Sequence, residues 1–160
     1  MDLPAKRPVS AAAVRETVGF IGVVASLVFV GLQIRQGTAI ARGQARQELA
    51  DLNQEWLILQ STDSVFRRTF AKAWIEQSDS LTSQEASTAT WSMRLNLRRL
   101  ENAYFQFAEG LVDESALNSY GFQAAATFQS KNFREFWARE RNAYDPGFVR
   151  YFEERFEIAD

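Results

Sequence analysis

A run of eighteen residues without a charge constrains this chain more than any other feature. Residues 17–34 read TVGFIGVVASLVFVGLQI and lie between Glu16 and Arg35. As an α-helix the run is roughly 27 Å long, close to the ~30 Å hydrocarbon core of a bilayer. It therefore predicts a transmembrane helix, and the residues after it are expected to form a domain held at a membrane surface.

A cleavable signal peptide is the alternative interpretation of the same segment. Lys6 and Arg7, the apolar run and the small-residue pattern AIA at residues 39–41 resemble the three regions of such a peptide. The run is longer than the usual ~7–15 residues, and Arg35 lies between it and the cleavage pattern. We therefore expect the helix to be retained, with residues 1–16 as a tail and the start of the helix.

Small residues lie on one face of the predicted membrane helix. Gly22 and Ser26 form a small-xxx-small pair, and Gly19 lies one turn earlier on nearly the same face. Such a face lets a second membrane helix approach closely. The alternative is that these residues face lipid, since Gly is frequent in membrane helices.

Composition predicts an all-α fold and argues against most catalytic chemistry. The chain has thirteen Phe but only three Pro and eight Gly, and 46% of its residues are hydrophobic. It is too apolar for disorder and too poor in turn formers for a many-stranded sheet. It also has no His and no Cys, the residues of most nucleophile systems and zinc sites. We expect no cofactor, no metal site and no enzyme.

Charge is distributed unevenly along the chain. Residues 1–47 carry six Lys or Arg and two Asp or Glu, whereas residues 48–160 carry twelve and eighteen, a balance of -6. Nucleic-acid binding depends on a basic face that neutralises phosphates. The acidic domain is therefore not expected to bind nucleic acid, and the basic end is assigned to the membrane surface.

Residues 35–60 are predicted to form a stalk helix that continues the membrane helix. Their apolar residues follow one another in steps of four, three, four and three: Ala45, Leu49, Leu52, Trp56 and Leu59. This spacing places them on one helix face. The seam packs either into the bundle of its own chain or against a second copy in a self-associating stalk.

Residues 61–160 are predicted to form a small bundle of about five helices. N-terminal capping residues mark four helix starts: Asp63, Thr82 in a capping box with Glu85, Asp113 or Ser115, and Asp145. A turn at residues 130–132 leads to one further helix. The first helix should cover residues 64–77 and bury Val65. Residues 83–109 should form the central helix, stopped by Gly110. The third helix, which starts at Asp113 or Ser115, is expected to continue through residue 128.

Two groups of side chains are candidate binding sites. Arg94, Arg98 and Glu101 lie on adjoining turns of the central helix, where they either bind a ligand carboxylate or form an ordinary helix ion pair. Trp137 precedes two arginines and is the candidate for an exposed interface anchor.

Two other features have both a functional and a structural interpretation. Ten aromatic residues between positions 122 and 156 either fill the core or line an apolar pocket. The carboxylates of Glu153, Glu154 and Glu157 either bind a hard cation or form a solvated acidic face.

Three stretches form a recognisable set: QIRQ at residues 33–36, RRLENAY at 98–104 followed by GL at 110–111, and FW at 136–137 followed by DPGF at 145–148. The set resembles a widespread group of uncharacterised bacterial proteins with one N-terminal membrane helix and a small helical domain. The resemblance covers most of the chain and implies a single-pass inner-membrane protein, but no activity, cofactor or catalytic residue. Members often have an acidic N-terminal tail, which implies a cytoplasmic domain; Lys6 and Arg7 depart from that pattern.

From these features we expect a non-enzymatic, membrane-anchored helical protein that acts through protein–protein interaction. It would contact membrane lipid, and it would act either as a homo-oligomer or as an accessory subunit of a membrane complex. The alternative is a membrane-tethered domain that binds a small amphipathic or anionic ligand between its helices.

Overall fold

The computed structural model describes residues 11–121 and 125–158, and all regular structure in these ranges is helical. The all-α class predicted from the sequence is confirmed, as a long N-terminal helix followed by a small helical bundle. The chain divides into two units, Met1–Ala41 and Arg42–Asp160. Helix α1 (Ala11–Thr62) contributes residues to both units.

The first unit contains the apolar part of α1. The large apolar side chains of this part are exposed; Leu27, for example, is 67% exposed. Among the described residues, α1 is the one helix that is long and apolar enough to cross a membrane, by length and composition. Ser26 Oγ donates to Gly22 O within the helix at 2.9 Å, and the role of Gly19, Gly22 and Ser26 in helix packing stays a prediction. Most of the predicted tail, residues 1–10, lies outside the described residues.

The C-terminal part of α1 belongs to the core of the second unit. Ala45, Leu49 and Trp56 are at most 8% exposed, while Leu52 and Leu59 are half-buried. The predicted seam therefore packs into the bundle of its own chain, although two of its leucines remain partly open to solvent.

Helix α2 (Ser64–Phe70) begins where its cap was predicted. Asp63 Oδ1 accepts hydrogen bonds from the N–H groups of Val65 and Phe66, each at 2.9 Å. A π-helical turn (Ala71–Ile75) extends the helix. Together the two elements cover residues 64–75, so the helix ends two residues before the predicted residue 77, and Gln77 has a φ of +52°.

The buried face of α2 differs from the prediction at one position. Val65 is 60% exposed, whereas Phe66 is buried. The reason is that the Trp56 ring lies edge-on to the rings of Phe66 and Phe70, with centroids 5.6 Å away in both cases. These two phenylalanines are four residues apart and share one face, so Val65 points away from it.

Helix α3 (Ser83–Ala108) is the central helix and begins with the predicted capping box. Glu85 N–H donates to Thr82 Oγ1 at 3.2 Å, and Thr82 N–H donates to Glu85 Oε2 at 2.8 Å. The backbone hydrogen bond from Thr82 and the hydrogen bond from Lys72 lower the pKa of Glu85 to about 2.

The apolar stripe of α3 lies at the centre of the bundle. Met93, Leu97 and Leu100 are fully buried. After the helix, Gly110 has a φ of +69°, the left-handed conformation that favours glycine at a helix end. The predicted stop is confirmed.

Helix α4 (Glu114–Ser119) is shorter than predicted. Asp113, one of the two predicted starting residues, caps it. Gly121 has a φ of +112°, and a further helix, α5 (Ala125–Phe128), follows. The prediction of one continuous helix through residue 128 is therefore wrong, because a residue with positive φ cannot continue a right-handed helix. Residues 122–124, which belong to the predicted continuous helix, lie outside the described residues.

Helices α6 (Lys131–Glu140) and α7 (Pro146–Phe156) complete the second unit. Asp145 caps α7, as predicted, and Ser130, which was predicted only as part of a turn, caps α6. A 3₁₀ turn (Arg141–Ala143) lies between the two helices. Their aromatic side chains form the core with α5: the Phe128 ring centroid lies 5.1 Å from that of Phe133 and 5.0 Å from that of Phe152. The core interpretation of the aromatic segment is therefore confirmed for the residues named here.

Candidate functional site

The predicted cluster on α3 separates into two ion pairs. Arg98 Nη1 donates to Glu101 Oε2 at 2.6 Å, and Glu101 Oε1 accepts the N–H of Asp145 at 2.7 Å. Glu101 is only 6% exposed. The Glu101 carboxylate therefore connects α3 to the start of α7, and each of its oxygens accepts a hydrogen bond within the chain.

Arg94 pairs with Glu140 of α6 and not with Glu101. Its Nε and Nη2 donate to the two carboxylate oxygens of Glu140 at 2.9 and 2.7 Å. The pair raises the pKa of Arg94 and lowers the pKa of Glu140 through these hydrogen bonds. The Arg94 guanidinium also lies 4.8 Å over the exposed Trp91 ring. Arg94 therefore packs on the exposed Trp91 ring and also links α3 to α6 through its pair with Glu140.

Trp137 is not an exposed anchor, which corrects the expectation from its neighbouring arginines. It is 2% exposed, and its Nε1 donates to Glu153 Oε1 at 2.9 Å. The physical reason is that Trp137 shares the buried face of α6 with Phe133, four residues earlier, and the two rings stack at 6.0 Å. Its hydrogen-bonding group has a partner within the core.

The C-terminal carboxylates occupy different environments. Glu153 accepts hydrogen bonds from Trp137 and Arg141, whereas Glu154 and Glu157 are exposed. Within residues 11–121 and 125–158 no group of three or more acidic, His or Cys side chains is arranged to hold a metal ion.

A groove lies between α1 and α3 in the second unit. It encloses about 340 Å³ and is lined from α1 by Leu52, Glu55, Trp56 and Leu59, and from α3 by Leu95, Arg98, Arg99 and Asn102. Each set has the spacing i, i+3, i+4 and i+7, so each helix presents one continuous stripe to the groove. We refer to it as the α1–α3 groove.

Polar contacts across the groove show that its two helices run antiparallel. Arg99 Nη1 donates to Asn53 Oδ1 at 2.9 Å, and Asn102 Nδ2 donates to Glu48 Oε1 at 3.4 Å. The earlier residue of α1 thus meets the later residue of α3. Glu48 and Asn102 mark one end of the groove, and Leu59 lies toward the other.

Arg99 places a positive charge at the floor of the groove. Within the described part of the chain its guanidinium donates to the amide oxygens of Asn53 and Asn96, at 2.9 Å each, and lies 5.6 Å from the Trp56 ring centroid. No carboxylate among the described residues forms an ion pair with it, and its buried Nε has no partner there. Burial lowers the pKa of Arg99 to about 10, so the group remains charged at neutral pH.

A second depression continues the groove along α3. It encloses about 480 Å³ and shares Leu95 and Arg98 with the first. Its other lining residues are Trp91, Arg94, Glu140, Ala143 and Tyr144. Trp91 is 64% exposed and Leu95 is 50% exposed. Arg98 lies 4.5 Å over the Tyr144 ring and donates to the carbonyl of Ala143 at 2.8 Å. The combined surface offers apolar area together with guanidinium groups and the carboxylates of Glu55 and Glu140, which suits it to bind an apolar surface that carries charged groups.

Sequence reasoning identified Arg94 and Arg98 but missed Trp91, Leu95 and Arg99. A signal was present: Trp91, Leu95 and Arg98 follow one another in steps of four and three, beside the buried stripe of α3. A second stripe of this kind on a central helix indicates a second contact surface.

No protein-family model matches the chain, and neither a curated protein nor a solved structure matches it.

Proposed function

We propose that this chain is a membrane-anchored interaction protein whose α1–α3 groove binds an α-helix of another polypeptide chain. The observation that carries the proposal is that Leu95 and Trp91 are at least half exposed on the surface that also presents Arg98 and Arg99. Apolar, aromatic and arginine side chains together are typical of binding hot spots. The proposed role is non-catalytic.

The dimensions of the surface favour a helix as the ligand. From Trp91 to Asn102 the α3 stripe is about 16 Å long, at 1.5 Å per residue, which is three helical turns. Two antiparallel helices with matching stripes form one surface, against which a helix of another chain packs with residues at i, i+3, i+4 and i+7.

The proposal places the protein in a bacterial inner membrane as a single-pass protein with its second unit in the cytoplasm. The apolar part of α1 and the resemblance of the QIRQ, RRLENAY and DPGF stretches support this placement. Reporter fusions at the C-terminus test it: a cytoplasmic reporter should be active there and a periplasmic one inactive.

Site-directed cross-linking tests the groove itself. The chain has no cysteine, so Leu95→Cys provides one attachment point for a photoactivatable maleimide in native membranes. The matched control is Ala138→Cys, which is exposed on α6. We expect a discrete cross-linked polypeptide from position 95 and none from position 138. Equal products from both positions, or none from position 95, would reject the proposal.

A second candidate function is binding of a small anionic amphiphile in the same groove. The observation that favours it is the charge of Arg99, which has no carboxylate partner among the described residues, below an apolar channel of about 340 Å³. Native mass spectrometry of the full chain, released from detergent, tests it. A bound small acid that is retained by the wild type and lost from Leu95→Glu would favour this candidate over a partner helix.

A further inference from the structure

The charges of the α1–α3 groove are divided between its two helices. The α1 stripe consists of Glu48, Leu52, Glu55 and Leu59, and the α3 stripe consists of Trp91, Leu95, Arg98 and Asn102. Both have the spacing i, i+4, i+7 and i+11, which keeps their members on one helix face. One edge of the groove is thus acidic and apolar, while the other is basic and apolar.

This division makes the surface complementary to itself. We propose that the occupant of the groove is a second copy of this chain, in a two-fold symmetric dimer in which Glu55 of each copy faces Arg98 of the other. This inference rests on the proposed function and names its partner. A symmetric dimer uses the same surface on both copies, so a self-complementary surface is its requirement.

The charge pattern also selects the direction of the symmetry axis. An axis that runs along the groove sets α1 of one copy against α3 of the other, so Glu55 meets Arg98. An axis across the groove would set α1 against α1 and α3 against α3, which brings like charges together at a cost in free energy. The first arrangement is therefore the one that the side chains support.

The register follows from the contacts within one copy. The Arg99–Asn53 and Asn102–Glu48 hydrogen bonds define which residues of α1 and α3 lie at the same position along the groove. A two-fold axis parallel to the groove leaves each residue's position along the groove unchanged. It places Glu55 near Arg98 of the second copy, and Leu59 between Trp91 and Leu95 of the second copy. Charged and apolar residues are matched in the same register.

The groups required for the new contacts are available. Glu55 is exposed and has no hydrogen-bond or ion-pair partner among the described residues. The Arg98 side chain is 55% exposed despite its pair with Glu101, and a guanidinium has five N–H donors. Anchoring in one membrane raises the effective concentration of the copies, so a modest interface is sufficient.

Charge reversal in two separate chains tests the arrangement. In the full chain in mild detergent, Glu55→Arg and Arg98→Glu should each weaken self-association by about tenfold or more, because each creates two like-charge contacts per dimer. Mixing the two variants should restore association, since every facing pair is then opposite in charge. Analytical ultracentrifugation with distinct fluorescent labels measures homodimer and heterodimer separately.

A cysteine pair tests the same register without altering Arg98, whose contacts with Glu101 and Tyr144 support the fold. A chain carrying Leu59→Cys is mixed with a chain carrying Leu95→Cys and oxidised mildly. We expect a disulfide-linked heterodimer. The matched control replaces Leu59→Cys with Leu57→Cys, which is 56% exposed on α1 but off the stripe, and should not cross-link.

The outcomes separate this inference from the proposed function. A chain that stays monomeric and forms no disulfide overturns the dimer. If the photo-cross-linker at position 95 still captures another polypeptide, the groove binds a different protein and the proposed function stands. If it captures nothing, both are rejected. A dimer in which the mixed variants do not recover association rejects the Glu55–Arg98 arrangement.

Discussion

Replacing the buried carboxylate of Glu101 should lower the stability of the second unit in two distinguishable steps. Glu101 is 6% exposed and accepts one hydrogen bond from Arg98 Nη1 at 2.6 Å and one from the N–H of Asp145 at 2.7 Å. Glu101→Gln keeps an oxygen for Asp145 but removes the charge that pairs with Arg98. Glu101→Ala removes both acceptors.

The two contacts have different expected magnitudes. Hydrogen bonds to charged groups contribute about 1.5–3 kcal/mol, but Arg98 is half exposed, so about 1–2 kcal/mol is expected for Glu101→Gln. Glu101→Ala also leaves the Asp145 N–H without an acceptor, which adds about 1–3 kcal/mol. For a unit of this size each 1 kcal/mol corresponds to roughly 4 °C in Tm. We therefore expect a decrease of about 4–8 °C for the first variant and a larger one for the second.

Tryptophan fluorescence during thermal unfolding of the full chain in mild detergent measures the effect. All four tryptophans belong to the second unit, so α1 in the first unit does not contribute to the signal. The matched control is Glu154→Gln, an exposed residue of the last helix. A Tm of Glu101→Gln within experimental error of that control would refute the reasoning that Glu101 holds α3 to the start of α7.

Three further predictions concern the core, a helix cap and a turn, each measured by denaturant unfolding of the full chain. Leu97→Ala should lower the free energy of unfolding by about 2–5 kcal/mol, because Leu97 is fully buried, whereas Leu57→Ala at an exposed position should change it by less than about 0.5 kcal/mol. The capping hydrogen bonds hold the pKa of Glu85 at about 2, below its ordinary 4.5, so its stabilising effect is complete above pH 4.5 and is lost as the pH falls toward 2; Glu85→Gln should therefore flatten the dependence of stability on pH in that interval. Gly110→Ala should destabilise the unit by about 1–2 kcal/mol because its φ is +69°, whereas Gly43→Ala, inside α1, should stabilise it by up to about 1 kcal/mol.

The positions of helix starts were predictable from the sequence because they depend on local chemistry. Asp63, Thr82, Asp113, Ser130 and Asp145 each accept hydrogen bonds from backbone N–H groups of the following turn. Such caps involve residues only two or three positions away. The central helix was predictable for a related reason, since its buried stripe recurs at the helical period.

The errors arose where tertiary contacts override local patterns. Val65 belongs to an apolar cluster in the sequence, but the rings of Trp56, Phe66 and Phe70 fill the space beside it. The break at Gly121 depends on a backbone conformation, and a Cβ there would lie 2.9 Å from Arg99 Nη2. Neither fact is present in the spacing of nearby residues.

The candidate site was harder to predict than the fold because its two stripes come from distant parts of the chain. Arg94 and Arg98 were identified, and Arg98 forms the predicted ion pair with Glu101. Arg94 pairs with Glu140 of α6, which a pattern within α3 does not show. Arg99 was not identified, since its role depends on Trp56 and Asn53 of α1. A pattern within α3 alone does not contain that information.

The division of charge in the groove restricts which partners it accepts. Leu59 and Leu95 offer the apolar area from which most of the binding free energy would come, while exposed charge pairs contribute little net affinity and are screened by salt. The role of Glu55 and Arg98 is then to select among pairings that bury similar apolar area, because a wrong pairing places like charges together. High salt should therefore weaken this discrimination more than the association itself. In the mixing experiment, the advantage of the heterodimer of Glu55→Arg and Arg98→Glu over each homodimer should shrink as salt is raised, while wild-type association declines only modestly.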